Sequence, residues 1–392
     1  MKKIILSLWL MAVALIATAQ GNYDHILSGI EANSTTLLSL REQMEAQKLE
    51  NRTGIFPSDP EIEFAYLWGN TAVAGDRTDF KISQSFDFPT VYSHKERISK
   101  FKNTNTELLY KAERISLLLH AKQLCIQLVY YNALAKEVYQ RLGNAERIAS
   151  AFKTKLEKGD ANIIDNNKIQ MNVISLQNEA TGIETERTML LSELKRLNGG
   201  QEVVFDQSNY SDGILPDNFD EWYSRTLSQS PVLQHANTQI SIREEEVRLN
   251  KAQGLPKLSA GYMSEQLLGE KFQGVTVGLS IPLWSNKNRV RQSQAQLVAN
   301  QSLLADCKVA FQTRLQGLYD KAVKLQQSAL KHRIALSSFN NELLLKKALD
   351  AGEISLLIYL TELEYYYQAF RQVLETEKNF ELTLAELFAM EL

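Results

Sequence analysis

An internal duplication constrains this chain more than any other feature. At an offset of 193 residues, Phe88-Pro89 matches Ile281-Pro282 and Lys158-Gly159-Asp160 matches Ala351-Gly352-Glu353. Both halves therefore place 70 residues between a proline and a glycine, with no gap needed. Upstream, Phe56-Pro57 corresponds to Leu255-Pro256, and Asn33-Ser34 to Gln229-Ser230-Pro231. Each half reads as a short helix, a proline, about 30 residues of other structure, a second proline, 70 residues, a glycine and about 40 more residues. A fixed offset of this kind marks one supersecondary unit used twice. The 18 Gly and 7 Pro make up roughly 6% of 392 residues, about half the usual share, so long uninterrupted elements are expected. The balance of 44% hydrophobic and 23% charged residues, a net charge of −3 and two Cys excludes a disordered chain, a basic nucleic-acid binder and a disulfide scaffold.

The 70-residue blocks are helical. In the first, Leu117, Ala121, Leu124, Leu128, Tyr131, Ala135, Val138, Leu142, Ala145, Ala149, Phe152 and Leu156 step alternately by four and three. In the second, Phe311, Leu315, Leu318, Ala322, Leu325, Ala329, His332, Leu336, Phe339 and Leu343 do the same. A mean spacing of 3.5 is a coiled-coil seam, and at 1.5 Å per residue each block spans about 100 Å. The apolar pattern resumes after each glycine, as Val173, Leu176, Ala180 and Ile183, and as Leu356, Leu360, Leu363 and Tyr367. Gly159 and Gly352 therefore read as the tips of two antiparallel helical hairpins.

Between the prolines the period changes to two. Ile62, Phe64, Tyr66 and Trp68 alternate with Glu61, Glu63 and Ala65, and Phe80, Ile82, Phe86 and Phe88 alternate with Lys81, Ser83, Ser85 and Asp87. In the second half Leu258, Ala260 and Tyr262 alternate with Ser259 and Gly261, and Val275, Val277, Leu279 and Ile281 with Thr276, Gly278 and Ser280. This predicts hairpins of strands at about 61–68 and 80–88, and at about 258–264 and 275–281, joined by polar loops at Gly69–Asp79 and Glu265–Gly274. An apolar, aromatic face opposite a charged or small one suits a membrane barrel with a polar lumen. Four strands cannot close such a barrel, so the chain must oligomerise or leave sheet edges open.

Residues 1–19 carry Lys2 and Lys3, an apolar run from Ile4 to Ala17 and the small-residue site Ala17-Thr18-Ala19, the pattern of a secretory signal peptide. Its removal leaves 41 basic and 46 acidic residues, a net charge of −5. Cys125 and Cys307 read as small buried apolar residues. They lie 36 and 25 residues along their helices, so side by side they stand about 16 Å apart axially, too far for a disulfide. His25, His94, His120, His235 and His332 are isolated in sequence, and no phosphate loop, nucleophile elbow or metal-ligand spacing occurs, so neither an enzyme nor a cofactor is expected.

The element order, the duplication and the tip segments KLEKGDANIID (155–165) and ALDAGEISLLIYL (348–360) resemble the TolC family of outer-membrane efflux channels. The resemblance implies a mainly α fold with a membrane β-barrel: repeats at 20–199 and 221–392 joined by a linker at 200–220, with helical hairpins at about 90–198 and 283–391. It implies a homotrimer in the outer membrane of a Gram-negative cell, giving a twelve-stranded barrel on a periplasmic tunnel. The implied partners are a periplasmic adaptor (membrane fusion protein), an inner-membrane RND-type pump and outer-membrane lipid, with no nucleic acid. The compact length, the lack of a C-terminal extension and the segment 352–369 most resemble the heavy-metal branch of the CusC and CzcC type. Carried over by position, Lys155, Gly159, Asp160, Gly352 and Glu353 would dock the adaptor, and Phe64, Tyr66, Trp68, Phe86 and Phe88 would face lipid. Asp165 matches an acidic position that helps close the periplasmic aperture in some members. The family's basic residue two after the second glycine is Ile354 here, and its aromatic residue three before is Leu349. Closure by Ile354 and Leu357, or another partner for Asp165, are the alternatives. Channels of this shape also serve multidrug and type I secretion systems. The rivals from other classes are a periplasmic adaptor, which would hold one hairpin inside soluble β domains, and a structural coiled-coil protein, which would lack the amphipathic strands.

Overall fold

A computed structural model describes residues 21–70, 75–160, 162–211, 213–284, 286–338 and 341–392. The signal peptide expected at 1–19, and Phe339 of the second seam, lie outside the described residues. The elements run α1 (Gly21–Asn33), α2 (Thr35–Glu50), β1 (Glu61–Leu67), β2 (Arg77–Phe86), α3 (Pro89–Glu157) and α4 (Ile163–Leu197). They continue as α5 (Phe219–Gln229), α6 (Pro231–Ala252), β3 (Lys257–Leu267), β4 (Glu270–Ser280), α7 (Arg289–Ser338), α8 (Glu342–Asp350) and α9 (Leu356–Leu387), with a last 3-10 turn at Ala389–Glu391. The order repeats as the duplication requires, but the compact units do not coincide with the repeats. One unit holds the described residues up to Ser39 with Glu113–Thr226 and Gln312–Leu392, and the other holds Leu40–Ala112 and Leu227–Phe311. Each unit draws on both repeats.

The first unit is helical, and its core is the seam. Ala121, Leu124, Leu128, Ala135, Val138, Ala145 and Ala149 of α3 are all buried. Leu128 meets Leu194 and Leu197 of α4 and Ile30 of α1 in one cluster, while Ala145 and Ala149 meet Ile169, Val173 and Tyr359 in another. Each fully buried Leu or Ile contributes roughly 2 kcal/mol through burial. Cys125 is buried in the first cluster, where desolvation pushes its thiol up to about 12. Cys307 is only half-buried, short of the burial expected for it, and both cysteines are free.

The second seam is less complete. Leu315, Ala322 and Ala329 are buried, but Leu343 is 66% exposed and His332 is exposed as well. The helix expected from about 283 begins at Arg289, after Asn288 takes a left-handed φ of 65°, and a separate helix begins at Glu342 with Asn341 as its cap residue. Ser337, Ser338 and Asn341 all compete for backbone hydrogen bonds and favour helix ends over helix interiors. Of the expected linker at 200–220, the described residues before α5 form a packed strap and the last two begin α5. The Phe205 ring lies 6.3 Å from that of Tyr23, Asn132 Nδ2 donates to the carbonyls of Phe205 (3.1 Å) and Gln207 (2.9 Å), and the Tyr210 hydroxyl donates to the Ile126 carbonyl at 2.9 Å.

The second unit contains one antiparallel sheet of order β1-β2-β3-β4. The cross-strand register puts Ile62, Ile82, Tyr262 and Val275 in one row and Glu61, Ser83, Gly261 and Thr276 in the next, so the apolar faces of all four strands coincide. β3 and β4 are longer than expected. The polar run read as a loop at Glu265–Gly274 is mostly ladder, with Glu265 opposite Phe272 and Gln266 opposite Lys271. Only Leu268 and Gly269 turn the chain, at φ of 50° and 87°, the two positive torsions of a tight hairpin turn. A Leu at the first position is not the usual Asn or Asp, which hides the turn from a reading of the sequence. Gly261 marks a close backbone approach, since a Cβ there would stand 2.5 Å from the Ile82 carbonyl oxygen. Gly261→Val should therefore break the β2–β3 ladder, seen as loss of the strand signal in circular dichroism, while Gly274→Val, where a Cβ meets nothing within 4 Å, leaves it intact.

Candidate functional site

The two helical tips are built alike, residue for residue. At the first, the Asp160 N–H donates to the Lys155 carbonyl (2.8 Å) and the Gly159 N–H to the Leu156 carbonyl (3.0 Å). At the second, the Glu353 N–H donates to the Ala348 carbonyl (2.9 Å) and the Gly352 N–H to the Leu349 carbonyl (3.1 Å). These are paired Schellman closures, each around a glycine of left-handed torsion, φ 81° at Gly159 and 74° at Gly352, a conformation that costs a residue with a Cβ roughly 1–2 kcal/mol. Three residues on, Asn162 caps α4, its Oδ1 accepting from the N–H groups of Ile164 (2.6 Å) and Asp165 (3.0 Å). The residue 193 positions later is Ser355, which caps α9 by accepting from the Ile358 N–H at 3.3 Å. These caps were missed in the sequence, although a Gly-x-x-Asn beside a Gly-x-x-Ser at the repeat offset carries the signal.

The expected tip residues separate by environment. Gly159, Asp160, Gly352 and Glu353 are all exposed at the turns, and Lys155 Nζ lies 5.5 Å from the centre of the Phe152 ring. Asp165 has a local partner, since its Oδ2 accepts from Asn162 Nδ2 at 3.2 Å, closing a reciprocal cap around the first turn of α4. Ile354 packs inward against the Ala145–Tyr359 cluster. Leu357 points outward, 53% exposed, and borders an apolar groove with Ile164, Met171 and Leu360, where Lys168 supplies the charge.

The expected membrane-face residues lie in the sheet unit. Phe64, Tyr66 and Phe86 are on the apolar face, while Trp68 and Phe88 flank the strands, Trp68 stacked obliquely 5.9 Å from Tyr66. No residue of the four strands is buried, and Val275 and Val277 are 85% and 82% exposed. The opposite face carries ion pairs, Arg77 with Asp79 (2.8 Å) and Glu265 (3.1 Å), and Lys81 with Glu63 (3.8 Å). Among the described residues no strand lies beside the outer edges of β1 and β4. Among the described residues no helix is long and apolar enough to cross a membrane, and no group of three or more His, Cys, Asp or Glu is placed to hold a metal ion. His94 and His120 each face one carboxylate, Glu245 at 2.8 Å and Glu193 at 3.3 Å.

Neither a family model nor a curated protein sequence matches the chain. Solved structures do. The chain is similar to the outer membrane channel CmeC of Campylobacter jejuni, with TM-score 0.75 and 15% identity over 94% of this chain and 85% of that one. It is similar to the outer-membrane channel OprN, with TM-score 0.78 and 12% identity over 94% and 89%, and to CusC, which forms a transmembrane channel, with TM-score 0.73 and 15% identity over 94% and 92%. At these identities the likeness is one of fold. The chain has the TolC-like fold, a duplicated arrangement of strand hairpin and long helical hairpin.

The tip geometry predicts a torsional cost without a steric one, because a Cβ at Gly159 or Gly352 meets nothing within 4 Å. Gly159→Ala should destabilise the helical hairpin by about 1–2 kcal/mol, and Asn162→Ala by about 1 kcal/mol, both measured as faster proteolytic nicking near the tip. Gly159→Asn should outperform Gly159→Val, and equal behaviour of the two would contradict a torsional origin.

Proposed function

We propose that this chain is the outer-membrane channel of a tripartite export system, a passive homotrimeric conduit and not an enzyme. The observation that carries the reading is the sheet: four strands with no buried residue, one apolar face, one face of ion pairs and two open edges. A sheet of this kind is stable where lipid covers the apolar face and further strands pair with the edges. Three copies supply twelve strands, enough to close a barrel around the polar face, and the fold shared with CmeC, OprN and CusC supports this arrangement. In this reading Phe64, Tyr66, Trp68, Phe86 and Phe88 face outer-membrane lipid, and most of the chain lies in the periplasm. Lys155, Gly159, Asp160, Gly352 and Glu353 present the turns to a periplasmic adaptor, and an inner-membrane RND-type pump supplies the energy. Asp165, Ile354 and Leu357 surround the periplasmic aperture. The exposed side chain of Leu357 is the one of the three free to meet a neighbouring copy.

The protein should fractionate with outer membranes and migrate on gels as a heat-modifiable oligomer. A soluble periplasmic monomer would remove the channel reading and restore the adaptor or structural coiled coil. Val277→Arg, on the apolar face, should cost about 2–4 kcal/mol at mid-membrane depth and prevent assembly. Thr276→Arg, on the opposite face, should assemble.

The reading of heavy-metal cations as the cargo rests on the resemblance of the segment 352–369 to the heavy-metal branch. The fold does not choose the branch, since CusC at 0.73 and OprN at 0.78 are matched about equally well. A deletion strain should become sensitive to particular divalent or monovalent metals. Unchanged metal tolerance with raised drug sensitivity would place the chain with multidrug channels instead.

A further inference from the structure

Away from the tips, the helical unit holds a cluster of charges around a buried arginine, which no part of the conduit reading uses. Arg141 of α3 is only 8% exposed in its side chain and stands 3.4 Å from Glu179 of α4, 3.3 Å from Glu364 of α9 and 3.5 Å from Glu137 on its own helix. Its guanidinium covers the Tyr367 ring at 4.2 Å. Arg371 of α9 joins the same carboxylates, 2.8 Å from Glu179 and 3.4 Å from Glu364. Two arginines and the two carboxylates of Glu179 and Glu364 balance, so three helices are tied by a neutral set of ion pairs.

Glu137 is the member in excess. Both its carboxylate oxygens are enclosed and neither has a hydrogen-bond partner, the 3.5 Å approach to Arg141 Nε being an ion-pair distance without hydrogen-bond geometry. The groups that face it are Arg141 on α3, Glu179 on α4, Arg371, Tyr366 and Tyr367 on α9, and Glu342 on α8. Ionised, it adds a charge to a site that is already paired, beside two other carboxylates. Burial pushes its carboxyl up to about 7, with Glu179 and Glu342 adding to the rise and the two arginines opposing it. A cavity of about 30 Å³ opens on the Arg141, Asn144 and Glu364 side of the cluster, room for about one water beside the arginine. At the matching positions of the second repeat, 193 later than Glu137 and Arg141, stand Leu330 and Ile334, both exposed.

We propose that this cluster is a proton-sensitive joint: with Glu137 protonated, Arg141 is committed to Glu179 and Glu364 and ties α4 and α9 to α3, and with Glu137 ionised the carboxylate competes for Arg141 and the return helices loosen. The direction follows from linkage. A carboxyl that holds its proton more tightly when the helices are closed than when they are open weakens the closed form as pH rises from the ordinary carboxylate range to about 7, with no further loss above it.

Hydrogen exchange of the full chain in detergent, corrected for the intrinsic pH dependence of exchange, reads the joint directly and does not depend on what the protein conducts. Amides of 163–197 and 356–387 should lose at least roughly tenfold in protection between pH about 5 and pH about 8. Glu137→Gln, which keeps the shape and removes the charge, should hold the low-pH protection throughout. A flat profile in the unmodified protein would overturn the proposal without any variant, and so would a Glu137→Gln protein that keeps the original slope.

Discussion

Backbone N–H and C=O groups cannot be left unpaired away from water, and each distinctive part of this chain is one answer to that demand. The long helices satisfy their own backbones until they end. There, the Schellman bonds around Gly159 and Gly352 take up the last carbonyls, while Asn162 and Ser355 cap the first N–H groups of the returning helices. Where the chain crosses between repeats without regular structure, Asn132 and Tyr210 pair with backbone carbonyls. The edges of the sheet stay open within one chain, and that unmet demand is the strongest reason to read the protein as one part of a larger barrel.

The duplication is faithful in its punctuation and unequal in its packing. The first long helix runs unbroken from Pro89 to Glu157 with its seam buried or half-buried, whereas the second starts at Arg289, and two of the later residues of the second seam, His332 and Leu343, are exposed. The same spacing therefore does two jobs. In α3 it fills the core of one chain, whereas α7 and α8 leave apolar side chains such as Leu330 and Leu343 outward. The charges divide in the same way: Arg141 and its carboxylates tie both return helices to α3, whereas α7 meets α9 through pairs such as Arg333 with Glu377 at 2.8 Å.

Much of this architecture was legible in spacing. The 3.5 period located the seams, the period of two located the strand faces, and the offset of 193 located both tips, because each depends on residues close in sequence or on an exact repeat. Four things were not legible. The hairpin turn at Leu268-Gly269 has Leu where Asn or Asp is usual, the strap that precedes α5 has the composition of a loop, the capping role of Asp165 depends on Asn162, and the charge cluster joins residues as far apart as Arg141 and Glu364.

The sequence by itself determined the elements and the way they reverse, since helical period, strand alternation and a glycine's left-handed torsion are local physics. Only the tertiary structure decided which faces are covered. Burial of the α3 seam, exposure of the whole sheet and the enclosure of Glu137 all depend on what packs across from them. Arg141 and Glu364 are far apart in sequence, and become a joint around a buried guanidinium only when three helices bring them together.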